Sequence, residues 1–171
     1  MEQLRIERGE LRINFLGEAC ETTCVGCSVI SGDMSIPGGI ISENESFILH
    51  QDPEIPIVGF LIITAKRHFR FYSKMNEQEA KDLHELLSLT MALVKEENLK
   101  HTIIIEERSK HFHVLIFPRL NWMDKYPNSI ASIRDIMNDA KKNISNETVT
   151  SVIEYTKRLK IIFLSKFSTL N

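Results

Sequence analysis

Apolar and polar residues alternate over Leu4-Arg5-Ile6 and again over Leu11-Arg12-Ile13-Asn14-Phe15, with Arg8-Gly9 between them. That pattern predicts a short hairpin. Cys20 to Cys27 follows no period and ends in Gly26-Cys27, so an irregular knuckle is expected there. Gly38-Gly39 punctuates the chain before Ile40-Ile41, and Glu43-Asn44 turns it towards a strand from Ser46 to His50. Gln51 to Val58 contains Pro53 and Pro56 and reads as a loop, and the run Gly59 to Thr64 as a buried strand.

Asn76 is placed to cap a helix reaching about Glu97, with Ala80, Leu83, Leu87, Met91 and Val94 as its apolar stripe and Leu86 and Leu93 beside it. His101 to Glu106 and His111 to Phe117 read as two further strands, the second closed by Pro118, which cannot donate to a ladder. Ile130, Ile133, Met137, Ala140 and Ile144 mark one later helix. Val149 to Leu164 suggests another, although Ile161 to Leu164 also suits a strand. Strands, then a helix, then strands favour an α+β fold with an antiparallel sheet over a doubly wound one.

The length of 171 residues fits one domain, or one domain and a modest appendage. A net charge of −2 supplies no global basic field, so the sequence carries no strong nucleic-acid or anionic-lipid signal. The charged start lacks an apolar h-region, and the apolar runs are too short to cross a bilayer. Three Cys is an odd count that suits a disulfide framework poorly; a metal or redox pair in a reducing, cytoplasmic setting fits better.

Two places carry candidate chemistry. Cys24-Val25-Gly26-Cys27 can bring two thiolates to one zinc ion at about 2.3 Å, with the glycine allowing a tight turn. A redox pair and ordinary buried thiols are the alternatives. In a strand, His111, His113 and Leu115 share one face. Two adjacent imidazoles are an awkward core arrangement because each needs hydrogen-bond partners, though a solvent-facing pair would satisfy them.

Three segments, in order, resemble the histidine triad (HIT) family. Residues 24 to 33 resemble the opening of its bacterial hydrolases. Gly59 to His68, ending Ala65-Lys66-Arg67-His68, is similar to its strand ending in Lys-x-His. His111 to Arg119 is similar to its signature of alternating histidines followed by Pro-Arg. The resemblance covers residues 24–119 and implies an antiparallel sheet of about five strands with a long helix. It implies a HIT-like domain at 1–120, leaving 121–171 as a mostly helical C-terminal extension.

It further implies one structural zinc ion held by Cys24, Cys27, His68 and His111, with no open coordination position. His68 read without the family would be a surface residue at a strand end. The resemblance makes His113 the nucleophile, forming a nucleotidyl-histidine intermediate, and Asp52 a contact to a nucleotide ribose; an Asx turn before Pro53 is the plain alternative. Family members commonly dimerise through the long helix and sheet edge. Ile161 to Leu164 could extend such an interface or pack in the core.

Two departures stand out. The third signature histidine is Leu115, which can neither donate nor accept a proton. General acid help of that kind is typically worth about 10²- to 10⁴-fold in rate. The glycine-rich phosphate loop is replaced by Ile105-Glu106-Glu107-Arg108-Ser109-Lys110. Ser109 and Lys110 are candidate phosphate contacts there, against a charged hairpin tip. The expected function is a nucleotide hydrolase or nucleotidyl transferase; the alternative is a catalytically silent, zinc-stabilised nucleotide-binding or interaction module.

Overall fold

A computed structural model describes residues 9–167. Leu4 to Ile6, the first half of the expected hairpin, lies outside the described residues. Strand β1 (Glu10–Ile13) instead pairs forward with β2 (Ala19–Thr22), from Glu10 opposite Thr22 to Ile13 opposite Ala19. Asn14 closes this turn: its side-chain oxygen accepts from the Leu16 and Glu18 amides, and Gly17 sits at φ 85°. The expected irregular stretch is therefore partly strand, and a short helix, α1 (Val25–Ser31), follows at once.

Five strands form the main antiparallel sheet: β3 (Ile40–Glu43), β4 (Phe47–Gln51), β5 (Leu61–Ala65), β6 (Lys100–Ile105) and β7 (His113–Arg119), in the order β3-β4-β5-β7-β6. Every residue of β4 and β5 is buried, which is why neither shows a clean alternation in the sequence. The ladder of β7 with β5 spans His113 to Ile116, whereas its pairing with β6 continues to Arg119. Pro118 thus lies inside β7, beyond the part paired on both sides, and the strand does not stop at it.

The sheet register sorts its two faces. Phe47, Leu49, Leu61, Ile63, Val114 and Ile116 join the core under helix α2 (Glu77–Glu96), which contributes Leu83, Leu86, Leu93 and Val94. Asn76 caps α2 through the Glu79 amide, and the Glu79 carboxylate returns to the Asn76 amide. The buried stripe includes Glu79, Leu83, Leu86, Thr90, Leu93 and Val94, rotated from the expected one; Ala80 is exposed.

Helices α3 (Ile133–Lys142) and α4 (Asn146–Phe167) complete the chain. Tyr155, Leu159 and Phe163 of α4 enter the α2 core, and Arg158 and Lys166 pair with Glu97 and Glu96 at the end of α2. Ile161 to Leu164 is helical throughout, with Phe163 buried and Ile161 and Leu164 exposed. On the opposite sheet face α3 buries Ile136 against Ile55, Ile57, Phe60 and Phe117. The α+β architecture with a five-stranded antiparallel sheet, long helices and a C-terminal helix is as expected. No helix among the described residues is long and apolar enough to cross a membrane.

Candidate metal centre and adjoining cleft

Cys24 is the N-cap of α1 and Cys27 lies in its first turn, so the start of the helix sets the spacing of the two thiols. Gly26 is needed for a reason the sequence hid. Its φ is not positive; instead, a Cβ there would fall 2.4 Å from Cγ of His111. The glycine lets the helix lie flat against that imidazole ring.

His68 follows β5 and His111 precedes β7, each just outside the ladder. The expected placement of His111 within the strand is therefore off by two residues. Beside His68, Arg67 donates to both carboxylate oxygens of the buried Glu79 at 2.7 and 2.8 Å, tying the loop to the N-terminus of α2. Nδ1 of His68 stands 3.7 Å from Sγ of Cys24 and 3.1 Å from Sγ of Cys27; Nδ1 of His111 is 3.5 Å from each sulfur. All four atoms lie within 4.8 Å of one another.

A tetrahedral ion with Zn–S near 2.3 Å and Zn–N near 2.0–2.1 Å would separate S and N by about 3.6 Å. Donor chemistry agrees with the spacing. Nε2 of His111 is 2.7 Å from the carbonyl of Ala65, which can only accept, so Nε2 carries the ring proton and Nδ1 turns its lone pair to the sulfurs. Burial and the neighbouring Cys24 push the Cys27 thiol up to about 11. Metal binding at such a pair releases protons as thiolates form. The cluster can hold a metal ion, and its four protein donors would close a tetrahedral shell.

Next to this cluster opens a cleft of about 560 Å³. Its floor is the second face of the sheet, read as successive cross-strand rungs. Ile48, Thr64 and His113 form the rung nearest the cluster; His50, Ile62, Leu115 and Ile104 form the next; Asp52 and Phe60 follow. Helix α3 closes the far end with Met137 and Lys141, and α1 contributes Val29.

His113 lies on the floor with its proton assigned by the same logic. Nδ1 is 2.9 Å from the carbonyl of His111, so Nδ1 carries the hydrogen and Nε2 keeps a lone pair. Ser109 supports this arrangement: its hydroxyl donates to the same carbonyl at 2.6 Å, and its oxygen is 3.2 Å from Nδ1 of His113. The Ser109 proton is thus already committed within the loop. Lys110 and Arg108 line the cleft too; Arg108 pairs with Glu106 at 3.0 Å and is largely exposed, as at a hairpin tip.

Asp52 forms a turn at the edge of the cleft. Oδ1 accepts from the Glu54 and Ile55 amides at 2.8 and 2.9 Å, an Asx-type turn, while the residue also lines the cleft. Burial pushes its carboxyl up to about 7. Glu54 beside it stands 3.7 Å from Arg12 and 3.6 Å from Lys141, so loose ion pairs cross this end of the cleft.

The sequence reading missed His50. Its Nδ1 donates to the Gln51 carbonyl at 2.8 Å, its Nε2 is 2.8 Å from Thr64 Oγ1, and burial pushes its pKa down to about 4. The available signal was parity: His50 alternates with Ile48 and Asp52 and so shares the face of Asp52. Nothing in the sequence tied Met137 and Lys141 to the cleft, because their placement depends on how α3 docks.

No family model matches the sequence, and no curated protein matches it. Solved structures do. A hypothetical histidine triad nucleotide-binding protein from Sulfolobus tokodaii is 19% identical with a TM-score of 0.56, covering 84% of this chain and 96% of that one. A zinc-bound histidine triad family protein from Mycobacterium smegmatis is 17% identical with a TM-score of 0.53, covering 82% and 97%. A HIT family protein from Bacillus anthracis is 16% identical with a TM-score of 0.52, covering 72% and 98%. At these identities the likeness establishes a HIT-like fold.

Proposed function

We propose that this chain is a histidine triad protein that binds a nucleotide and acts as a hydrolase or nucleotidyl transferase on a nucleoside phosphate bond. The carrying observation is His113: an imidazole on the floor of a cleft, with Nδ1 bound to a carbonyl and Nε2 left as a lone pair. In that protonation state the ring can attack phosphorus and hold the nucleotidyl group until an acceptor takes it. Asp52 would meet the ribose, and the apolar surfaces of Phe60, Ile62 and Met137 would receive the base. Arg108 and Lys110 would supply positive charge to phosphate.

Cys24, Cys27, His68 and His111 would hold zinc, whose part is to tie α1 to the two histidine-bearing segments. Residues 1–120 would then be the HIT-like unit, and 121–171 an appendage that walls off one end of the cleft. A homodimer would form through the outer side of α2 and the edge strand β6, where Ile103 and Ile105 are exposed. His113→Ala should abolish turnover of a fluorogenic nucleotide while leaving zinc content unchanged. Full activity in that variant would overturn the assignment.

Leu115 favours a second reading, a silent interaction module stabilised by the same zinc. Thermal shifts with purine and pyrimidine nucleotides separate the two. Stabilisation by a nucleotide supports the first reading, and none across the panel supports the second.

A further inference from the structure

The selectivity of the cleft rests on the proposed role of His113 as nucleophile and is set by the protons within reach of it. The neutral side-chain donors beside His113 on the sheet and in the loop that leads into β7 are already engaged. The Gln51 carbonyl can only accept, so Nδ1 of His50 donates to it; the neutral ring then has only a lone pair at Nε2, and the Thr64 hydroxyl must donate there. Thr64 is the cross-strand partner of His113 and lines the cleft, so it offers lone pairs and no hydrogen. The Ser109 hydroxyl donates to the His111 carbonyl, Nδ1–H of His113 goes to the same oxygen, and Nε2–H of His111 goes to Ala65.

Leu115 occupies the next position along β7 and packs with the apolar group that includes Phe60 and Phe117. Asp52 is two rungs further along and two strands across, roughly 16 Å between backbones from strand rise and spacing. It is out of hydrogen-bond reach of an atom leaving phosphorus at His113. Arg108 and Lys110 line the cleft as cations. They can steady negative charge on the phosphate oxygens, a role that moves no proton.

We infer that the cleft selects nucleotides whose leaving group departs as a stable anion, such as a phosphoanhydride or an acyl phosphate, over amidates and alkyl esters. In the first step Nε2 of His113 bonds to the α-phosphorus. The bond from phosphorus to the leaving oxygen breaks, and its electron pair departs on that oxygen without a proton. In the second step water bonds to phosphorus, the P–N bond breaks and returns its pair to Nε2, and the water proton passes to solvent. An amine or alkoxide would have to leave unprotonated, which forfeits about 10²- to 10⁴-fold.

The test is a leaving-group series on the full chain. kcat/KM is measured for one 5′-nucleotide carrying pyrophosphate, an acyl group, an alkyl alcohol or an alkylamine on phosphorus, in the unaltered protein and in His113→Ala. We expect the anhydrides to be cleaved at least 100-fold faster than the amidate and the alkyl ester, with all turnover dependent on His113. Leu115→His should raise amidate cleavage at least 10-fold relative to anhydride cleavage. If that variant does not fold, the series on the unaltered chain decides alone. His113-dependent cleavage of the amidate within tenfold of the anhydride overturns the selectivity and leaves the catalytic reading standing. Turnover of none of the four, or turnover untouched by His113→Ala, overturns both.

Discussion

Gly26→Ala tests the contact on which the candidate metal centre depends. The substitution should be mildly favourable by local criteria, since Gly26 lies within α1 without a positive φ, and alanine in a helix gains about 1 kcal/mol over glycine. Packing reverses the sign. The new Cβ would stand 2.4 Å from Cγ, 2.7 Å from Cβ and 2.8 Å from Cδ2 of His111. Carbon atoms prefer about 3.5–4.0 Å, so helix and ring must part by roughly 1 Å.

The imidazole has little freedom to yield. Its Nε2 is held by Ala65, and the following amide of Phe112 donates to Phe69 at 2.6 Å. Overpacking of this kind costs about 1–3 kcal/mol and a lost buried hydrogen bond about 1 more. Net of the helix gain, we expect a loss of about 1–3 kcal/mol. At about 2–4 °C per kcal/mol for a chain of this size, Tm should fall by roughly 2–12 °C. Metal sites tolerate shifts of only about 0.2 Å, so zinc retention in a chelator competition should fall more steeply than stability. Gly32→Ala is the contrast: its φ of 83° disfavours a side chain, yet nothing lies within 4 Å of the added carbon. It should lower Tm and spare zinc affinity. Wild-type zinc retention and Tm in Gly26→Ala would show that His111 does not lie against the helix.

His50 should make stability depend on pH. Its folded pKa is about 4 against an ordinary 6.5, so the unfolded chain takes up a proton that the folded one refuses. The stability is whole above about pH 6.5 and drains as pH falls towards 4, amounting to about 2 kcal/mol at pH 5. Denaturant unfolding of His50→Gln should therefore differ from the unaltered chain by about 2 kcal/mol less at pH 5 than at pH 7.5; an equal gap at both refutes it. Glu79 acts at lower pH. Arg67 is the main cause of its lowered pKa, so its contribution is complete above about pH 4.3 and is lost as pH falls through the depressed value. Glu79→Gln should cost about 1–3 kcal/mol at pH 7, with the difference vanishing at strongly acid pH. A constant difference down to pH 3 would show that charge contributes nothing there.

Elements whose local rules and packing agree were legible in the sequence. Asn76 caps α2 as its sequence suggests, because a polar cap three residues before a glutamate completes a reciprocal pair of bonds whatever the tertiary fold. The cluster of Cys24, Cys27, His68 and His111, which could hold a metal ion, was legible only through resemblance, since spacing alone left Cys24 and Cys27 open to other uses. What escaped was decided by docking between distant elements. The pairing of β1 with β2 turns on Asn14, an ordinary polar residue until its side chain is seen closing the loop. Ile161 to Leu164 has the apolar run of a strand but sits in a helix, where Phe163 alone is buried. The role of Gly26 is invisible without the ring that lies against it.

The candidate metal centre and the cleft adjoin through one short stretch of backbone. One residue, Phe112, separates His111 from His113, and it is fixed on both sides. Its ring stacks on Phe69 at 5.0 Å, and its amide donates to the Phe69 carbonyl. The imidazole of His111 faces the sulfurs, while its carbonyl accepts Nδ1–H of His113 and the Ser109 hydroxyl. The oxygen that keeps the His113 proton on Nδ1 belongs to the peptide whose Phe112 N–H is held by Phe69, so the backbone fixes it while the ring on the same residue faces the sulfurs. In the proposed reading an ion that touches no substrate would fix the His111 ring, while the carbonyl that orients His113 is held separately, through the Phe112 amide of the same planar peptide.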